Sequence, residues 1–283
     1  MGKAPVQGTE LGSTRCGNRL FRWGERTYVM GIINVSPDSF SSDGIHTVED
    51  ALILAEQFAE YGADILDIGG ESTRPGASPI PTEEELRRVV PAIEQIARKT
   101  SLPLSVDTYK PEVASAAISA GAHIINDIWG LKHSSALADV AARENTSIIL
   151  TSNQRNDKCD NSSDAIVDVF LDLGRSIELA IEQGIPWANI IIDPGIGFGK
   201  TTEQNLSILR DLERLKPLGR PILIGTSRKS MIGHILNLPP EERIEGTAAT
   251  VAISIANGAD IVRVHDVRQM KRVCQMSDAI VRG

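Results

Sequence analysis

The sequence predicts one (β/α)8 TIM barrel with an N-terminal β-hairpin cap. Three observations predict it: eight short apolar runs, stretches of helical period between them, and glycines that close those stretches before the next run. The runs are YVMGIIN (28–34), ADILDIG (63–69), LPLSVD (102–107), AHIIND (122–127), TSIILT (146–151), NIIIDP (189–194), RPILIG (220–225) and ADIVRVH (259–265). They are rich in Ile, Val and Leu, and most lack polar alternation. Strands covered on both faces of a parallel sheet read this way.

Between the runs, residues 47–61, 83–97, 111–120 and 165–182 carry apolar side chains at three- and four-residue spacing. Pro111 stands where a helix begins, because its missing N–H needs no partner there. Gly62, Gly121, Gly184 and Gly258 each follow a helical stretch and precede a run, as residues that end a helix in the left-handed conformation do. Residues 19–27 (RLFRW, then Gly24-Glu25) read as an extra strand and turn. They are expected to pair with the start of the first barrel strand and to cap the bottom. Residues 1–18 read as a flexible N-terminal segment and 19–283 as a single domain, with no internal repeat beyond the barrel unit.

Composition narrows the class. The chain has 283 residues, 41% hydrophobic and 23% charged, which is a globular profile large enough to bury a core without staples. Cys16, Cys159 and Cys274 are far apart and form no CxxC pair, so they read as reduced thiols of a cytoplasmic protein. The N-terminus has no apolar core of signal-peptide length, and no run approaches the ~18 apolar residues of a membrane span. A net charge of −8 without a basic stripe argues against nucleic acid.

In this fold the chemistry sits at the C-terminal ends of the strands. Those positions hold Asn34, then Glu71, Thr73 and Arg74, then Asp107, Asn126-Asp127, Asp193, Ser227-Arg228-Lys229, and Arg263 with His265. Asp127 reads as a cap of the next helix. The others form two sets. Asp107, Asn126 and Asp193, with Lys229, suit the edge of a flat, nitrogen-rich heterocycle. Arg74, Arg228, Arg263 and His265 suit an anionic group. Asn34 with Asp38 offers oxygens for a magnesium ion that keeps most of its waters. The run Gly195-Ile196-Gly197-Phe198-Gly199-Lys200-Thr201 mimics nucleotide loops, but Pro194 and Lys200 occupy positions where those motifs need glycine.

Seven segments together resemble the dihydropteroate synthases: MGIINVSPDSFSSDG (30–44), DIGGESTRPGA (67–77), SVDTYKPEVA (105–114), IINDIWG (124–130), DPGIGFGK (193–200), GTSRKSMIG (225–233) and RVHDV (263–267). The resemblance implies an enzyme that joins a pterin diphosphate to 4-aminobenzoate with loss of diphosphate. It implies that Asp107, Asn126, Asp193 and Lys229 bind the pterin ring, with Ile128 and Phe198 as apolar contacts. Asn34 would help to hold Mg2+, and Arg263 and His265 the diphosphate. Thr73, Arg74 and Ser227 would shape the 4-aminobenzoate pocket, and a loop bearing Asp38, Ser39 and Phe40 would close over it. Asp38, Lys229, Arg263 and His265 are the implied catalytic set, in a homodimer.

One departure stands out. Many members of the family carry Met-His after the fifth strand, where this chain has Thr151-Ser152, so an apolar contact to the ring is lost. The alternative is a pterin- or folate-binding barrel without synthase activity, similar to the methyltetrahydrofolate-binding domains of corrinoid methyltransferases. Arg263, His265 and the loops VSPDSF and STRPG favour the synthase, because a pure pterin binder has no use for a diphosphate clamp.

Overall fold

The structure is a computed structural model and describes residues 11–35, 47–72, 78–155 and 164–283. A short hairpin, β1 (Ser13–Cys16) and β2 (Arg19–Arg22), precedes the barrel. The barrel strands are β3 (Tyr28–Asn34), β4 (Ile65–Gly69), β5 (Leu104–Asp107), β6 (Ile124–Asp127), β7 (Ser147–Thr151), β8 (Ile190–Asp193), β9 (Leu223–Ile224) and β10 (Ile261–Val264). They form one parallel sheet in the order β8-β7-β6-β5-β4-β3-β10-β9. A parallel bridge between Ile192 and Ile222 brings β8 against β9, so the sheet closes on itself.

The helices are α1 (Val48–Glu60), α2 (Thr82–Lys99), α3 (Pro111–Ser119), α4 (Ala136–Arg143), α5 (Ala165–Glu182), α6 (Thr202–Arg210), α7 (Ser230–Leu236), α8 (Ile244–Ala256) and α9 (Val267–Val281). Their ends follow local chemistry. The Thr47 hydroxyl accepts from the Asp50 amide at the start of α1, and Pro111 is the first residue of α3. Gly62, Gly121, Gly184 and Gly258 all have positive φ, as the sequence predicts for residues that end helices. No described helix is long and apolar enough to cross a membrane.

The core has two layers because side chains alternate along each strand. Val29, Leu66, Ile68, Leu104, Val106 and Ile125 face outward and pack with the helices. Met30, Ile65, Ile124, Ile149, Ile191, Leu223 and Ile261 face inward and fill the lower barrel.

The hairpin corrects one expectation. β2 pairs antiparallel with β1, Thr14 opposite Phe21, and not with the start of the first barrel strand. Strand β1 therefore lies inside the segment 1–18 that composition alone reads as flexible. The hairpin does cap the bottom: Phe21 and Trp23 pack on Tyr28 and on the inward cluster, with ring centroids 4.9–5.6 Å apart. Trp23 Nε1 donates to Thr14 Oγ1 at 2.9 Å, and Thr14 donates to the Ala188 carbonyl at 2.6 Å, so the buried polar atoms of the plug are satisfied.

Candidate active site

The same alternation builds the site. In β4, Ile65 faces inward, so Asp67 and Gly69 do too. In β6, Ile124 brings Asn126 inward and turns Asp127 out. In β8 and β10, Ile191 and Ile261 bring Asp193, Arg263 and His265 inward. Strand register then aligns them, with Asn34 beside Gly69, Gly69 beside Asp107, Asp107 beside Asn126, and Thr151 beside Asp193. A ring of polar side chains thus lies directly above the apolar plug.

Above that ring opens a cavity of about 420 Å3, within the range of about 300–1,000 Å3 usual for small-molecule sites. Asn34, Asp107, Asn126, Ile128, Asp193, Phe198, Ser227, Lys229, Arg263 and His265 all line it. Ten of the sequence-predicted site residues therefore converge on one space. Asp38, Thr73 and Arg74 lie outside the described residues, as do Ser39 and Phe40.

The sequence reading separates acceptors from cations, whereas the structure interleaves them. Arg263 donates through Nε to Asp67 Oδ2 at 2.6 Å and through Nη2 to Asp107 Oδ2 at 2.7 Å. Burial pushes the Asp107 carboxyl up to about 7, against the pull of Arg263, with Asp67 adding like-charge repulsion. Asp107 Oδ1 is buried with no hydrogen-bond partner among the described residues, an acceptor that a donor-bearing ligand would satisfy. On the opposite wall, Asp193 accepts from the Gly195 amide at 2.7 Å, and burial raises its pKa. Lys229 donates to the Ile196 carbonyl and lies 4.9 Å above the Phe198 ring; burial brings its pKa down to about 8. The floor thus offers a carboxylate on each side, with an ammonium and an aromatic wall beside Asp193.

Ser227 and His265 form a further unit. The serine hydroxyl lies 3.0 Å from His265 Nδ1 and accepts from the His265 amide at 3.2 Å. Arg228 differs from the anion-binding expectation. It lines the cavity, but its guanidinium is paired with both oxygens of Asp266, at 3.0 and 2.6 Å, which offsets its charge and fastens the loop. Asp127 caps the turn after β6 and not the next helix: it accepts from the Trp129 and Leu131 amides at 2.9 and 2.6 Å, whereas α4 begins at Ala136.

The glycine-rich run is a packing device. A Cβ on Gly195 would stand 1.9 Å from the Ser152 carbonyl oxygen, and its φ is +69°. Lys200, the residue that mimics a phosphate-binding lysine, donates to the Ser152, Gly195 and Phe198 carbonyls at 2.8–3.3 Å. It ties the run to the loop after β7 and leaves Phe198 on the cavity wall. Thr151, at the departure noted in the sequence, lines the cavity as well.

Comparisons agree with this geometry. The family model for pterin binding enzymes matches residues 30–265. The dihydropteroate synthase of Bacillus subtilis is 51% identical over 258 residues, 91% of this chain and 90% of that protein. The chain belongs to the dihydropteroate synthase family. A Clostridium difficile dihydropteroate synthase solved with pteroic acid superposes with a TM-score of 0.88 at 44% identity, covering 93% of this chain and all of that one. A Xanthomonas albilineans dihydropteroate synthase solved with 4-aminobenzoic acid gives 0.88 at 43% identity, covering 95% and 97%.

Asp67 is the site residue that the sequence reading omits. It is fully buried and takes a second hydrogen bond, from Asn126 Nδ2 at 3.2 Å. A carboxylate in the middle of ILDIG, two residues after an inward isoleucine and two before the strand end, was the available signal.

Proposed function

We propose that this chain is a dihydropteroate synthase, joining 6-hydroxymethyl-7,8-dihydropterin diphosphate to 4-aminobenzoate to give 7,8-dihydropteroate and diphosphate. The observation that carries this reading is one cavity holding a buried, unsatisfied carboxylate oxygen on Asp107 together with Asn126, Asp193, Lys229, Arg263 and His265. A purely structural barrel has no reason to desolvate that set.

In this reading Asp107, Asn126 and Asp193 accept from the N–H groups of the pterin, Lys229 donates to it, and Ile128 and Phe198 hold its faces. The bond between the exocyclic methylene carbon and the diphosphate oxygen breaks, a bond from that carbon to the arylamine nitrogen forms, and the nitrogen gives up one proton to solvent. The electron-rich dihydropterin spreads the positive charge that develops, and Asp107 and Asp193 favour it. Arg263 and His265 neutralise the leaving diphosphate. Ser227, hydrogen-bonded to His265, lies between that anion site and the arylamine side, where Thr73 and Arg74 are expected to contribute. No protein nucleophile is required, and the chain acts by placing the amine and stabilising charge.

The donor set fits a magnesium ion carried by the substrate. Asn34 lines the cavity, and its amide oxygen suits an ion that keeps most of its waters. Asn34, with Asp38, would hold Mg2+ beside the diphosphate. The ion would supply charge neutralisation to the leaving group. A homodimer is supported by apolar side chains left exposed on α7, α8 and α9: Ile235, Ile253, Met276 and Ile280. A cytoplasmic location suits the buried, unpaired thiols of Cys16 and Cys274.

The test is incubation with the pterin diphosphate, 4-aminobenzoate and Mg2+. One diphosphate released per dihydropteroate formed, with both organic substrates required, is the expected result. Binding of the pterin without dihydropteroate formation would favour a binding barrel instead.

A further inference from the structure

Asp67 stands behind the cavity and has no part in the reading above, yet one of its oxygens joins two elements of the site. Oδ2 accepts from Arg263 Nε at 2.6 Å and from Asn126 Nδ2 at 3.2 Å, in a side chain with no exposure. Both interactions have directional consequences. An amide that gives its NH2 group to Asp67 turns its carbonyl oxygen elsewhere, so Asn126 presents an acceptor to the cavity it lines. The guanidinium is held on Asp67 Oδ2 through both Nε and Nη2, each at 2.6 Å, and Nη2 is shared with Asp107 Oδ2 at 2.7 Å, so its bond to Asp107 can be exchanged while the edge on Asp67 stays in place.

Two carboxylates therefore share one cation. If ring donors arrive at Asp107, they replace the hydrogen bond from Nη2, while the charge of Asp67 retains the guanidinium at the site. We propose that Asp67 is a positioning residue that couples ring recognition to anion recognition: it sets the acceptor face of Asn126 and is the pivot on which Arg263 passes from Asp107 to the diphosphate. The inference rests on the pterin diphosphate reading. It makes ordered binding a property of the barrel interior, independent of the rim loops.

A double-mutant cycle on the full chain tests it, with calorimetry of 6-hydroxymethylpterin and of inorganic diphosphate with Mg2+, each alone and together. In the wild type the pterin should tighten diphosphate binding at least tenfold, a coupling of about 1.4 kcal/mol. Asp67→Asn should reduce that factor below threefold. In an Arg263→Met background, adding Asp67→Asn should change diphosphate affinity by less than twofold, while any remaining loss of pterin affinity passes through Asn126. An unchanged coupling factor in folded Asp67→Asn, or equal losses of diphosphate affinity in both backgrounds, overturns the pivot and leaves the functional reading intact. A wild type that does not bind 6-hydroxymethylpterin overturns the functional reading itself. Should Asp67→Asn not fold, the wild type still decides. Its Arg263 Nε–H resonance, assigned by Arg263→Lys, should stay protected from solvent exchange when pterin and diphosphate are added. Loss of that protection would mean that Asp67 releases the guanidinium, and the pivot fails.

Discussion

At the scale of single residues, two titrations frame the working range. Burial raises the Asp107 carboxyl to about 7 and lowers the Lys229 ammonium to about 8. Ring donors need the ionised carboxylate, and the lysine donates as an ammonium. The kcat/KM for the pterin diphosphate should therefore fall as pH drops through about 7 and fall again as it rises through about 8. An initial-rate profile from pH 5 to 10 checks this, and Asp107→Asn should remove the acid limb. A flat profile across pH 6 to 7 would place the catalytic carboxylate elsewhere. The cationic pair divides differently from a simple clamp. His265→Ala should weaken inorganic diphosphate more than an uncharged pterin. Arg263→Ala should weaken both, because its guanidinium also sits 2.7 Å from Asp107. Calorimetry with the two ligands separates them, and a loss confined to diphosphate in Arg263→Ala would contradict the contact with Asp107.

At the scale of elements, stability and chemistry are at opposite ends of the barrel. Phe21 is buried against Trp23, Tyr28 and the inward isoleucines at the bottom. Phe21→Ala should cost about 3–5 kcal/mol of stability while leaving KM for both substrates within twofold, as chemical denaturation and initial rates would show. A changed KM would mean that the plug transmits strain to the top. These same elements mark what was legible in the sequence. Eight runs and their glycine-ended helices were readable because burial on both faces and left-handed caps leave strong local signatures. That Asp127 is a cap was readable, but that it caps the turn after β6 rather than α4 was not. The partner of β2 was not, because the segment 13–16 is short and mostly polar, and nothing local distinguishes such a strand from coil. The link between Arg263 and Asp67 was not readable either. It spans 196 positions, and β10 comes near β4 because the two pair with opposite edges of β3.

At the scale of the whole molecule, the exposed side chains Met276 and Ile280 on α9, with Ile253 on α8, leave an apolar face on a chain of net charge −8. The chain of 30.5 kDa should sediment at about twice that mass, and Ile280→Glu should shift it toward the monomer. Sedimentation of the unaltered chain as a monomer would leave that face without a role in self-association. The central claim is that the top of this barrel reads a pterin ring through buried acceptors and that catalysis is built around that contact. Its most direct test is calorimetric titration of 6-hydroxymethylpterin into the wild type and into Asp107→Ala, with folding of the variant verified by circular dichroism. Loss of one charge-assisted hydrogen bond of about 1.5–3 kcal/mol predicts a more than tenfold weaker affinity in the variant. Equal affinity in the two proteins would contradict the account.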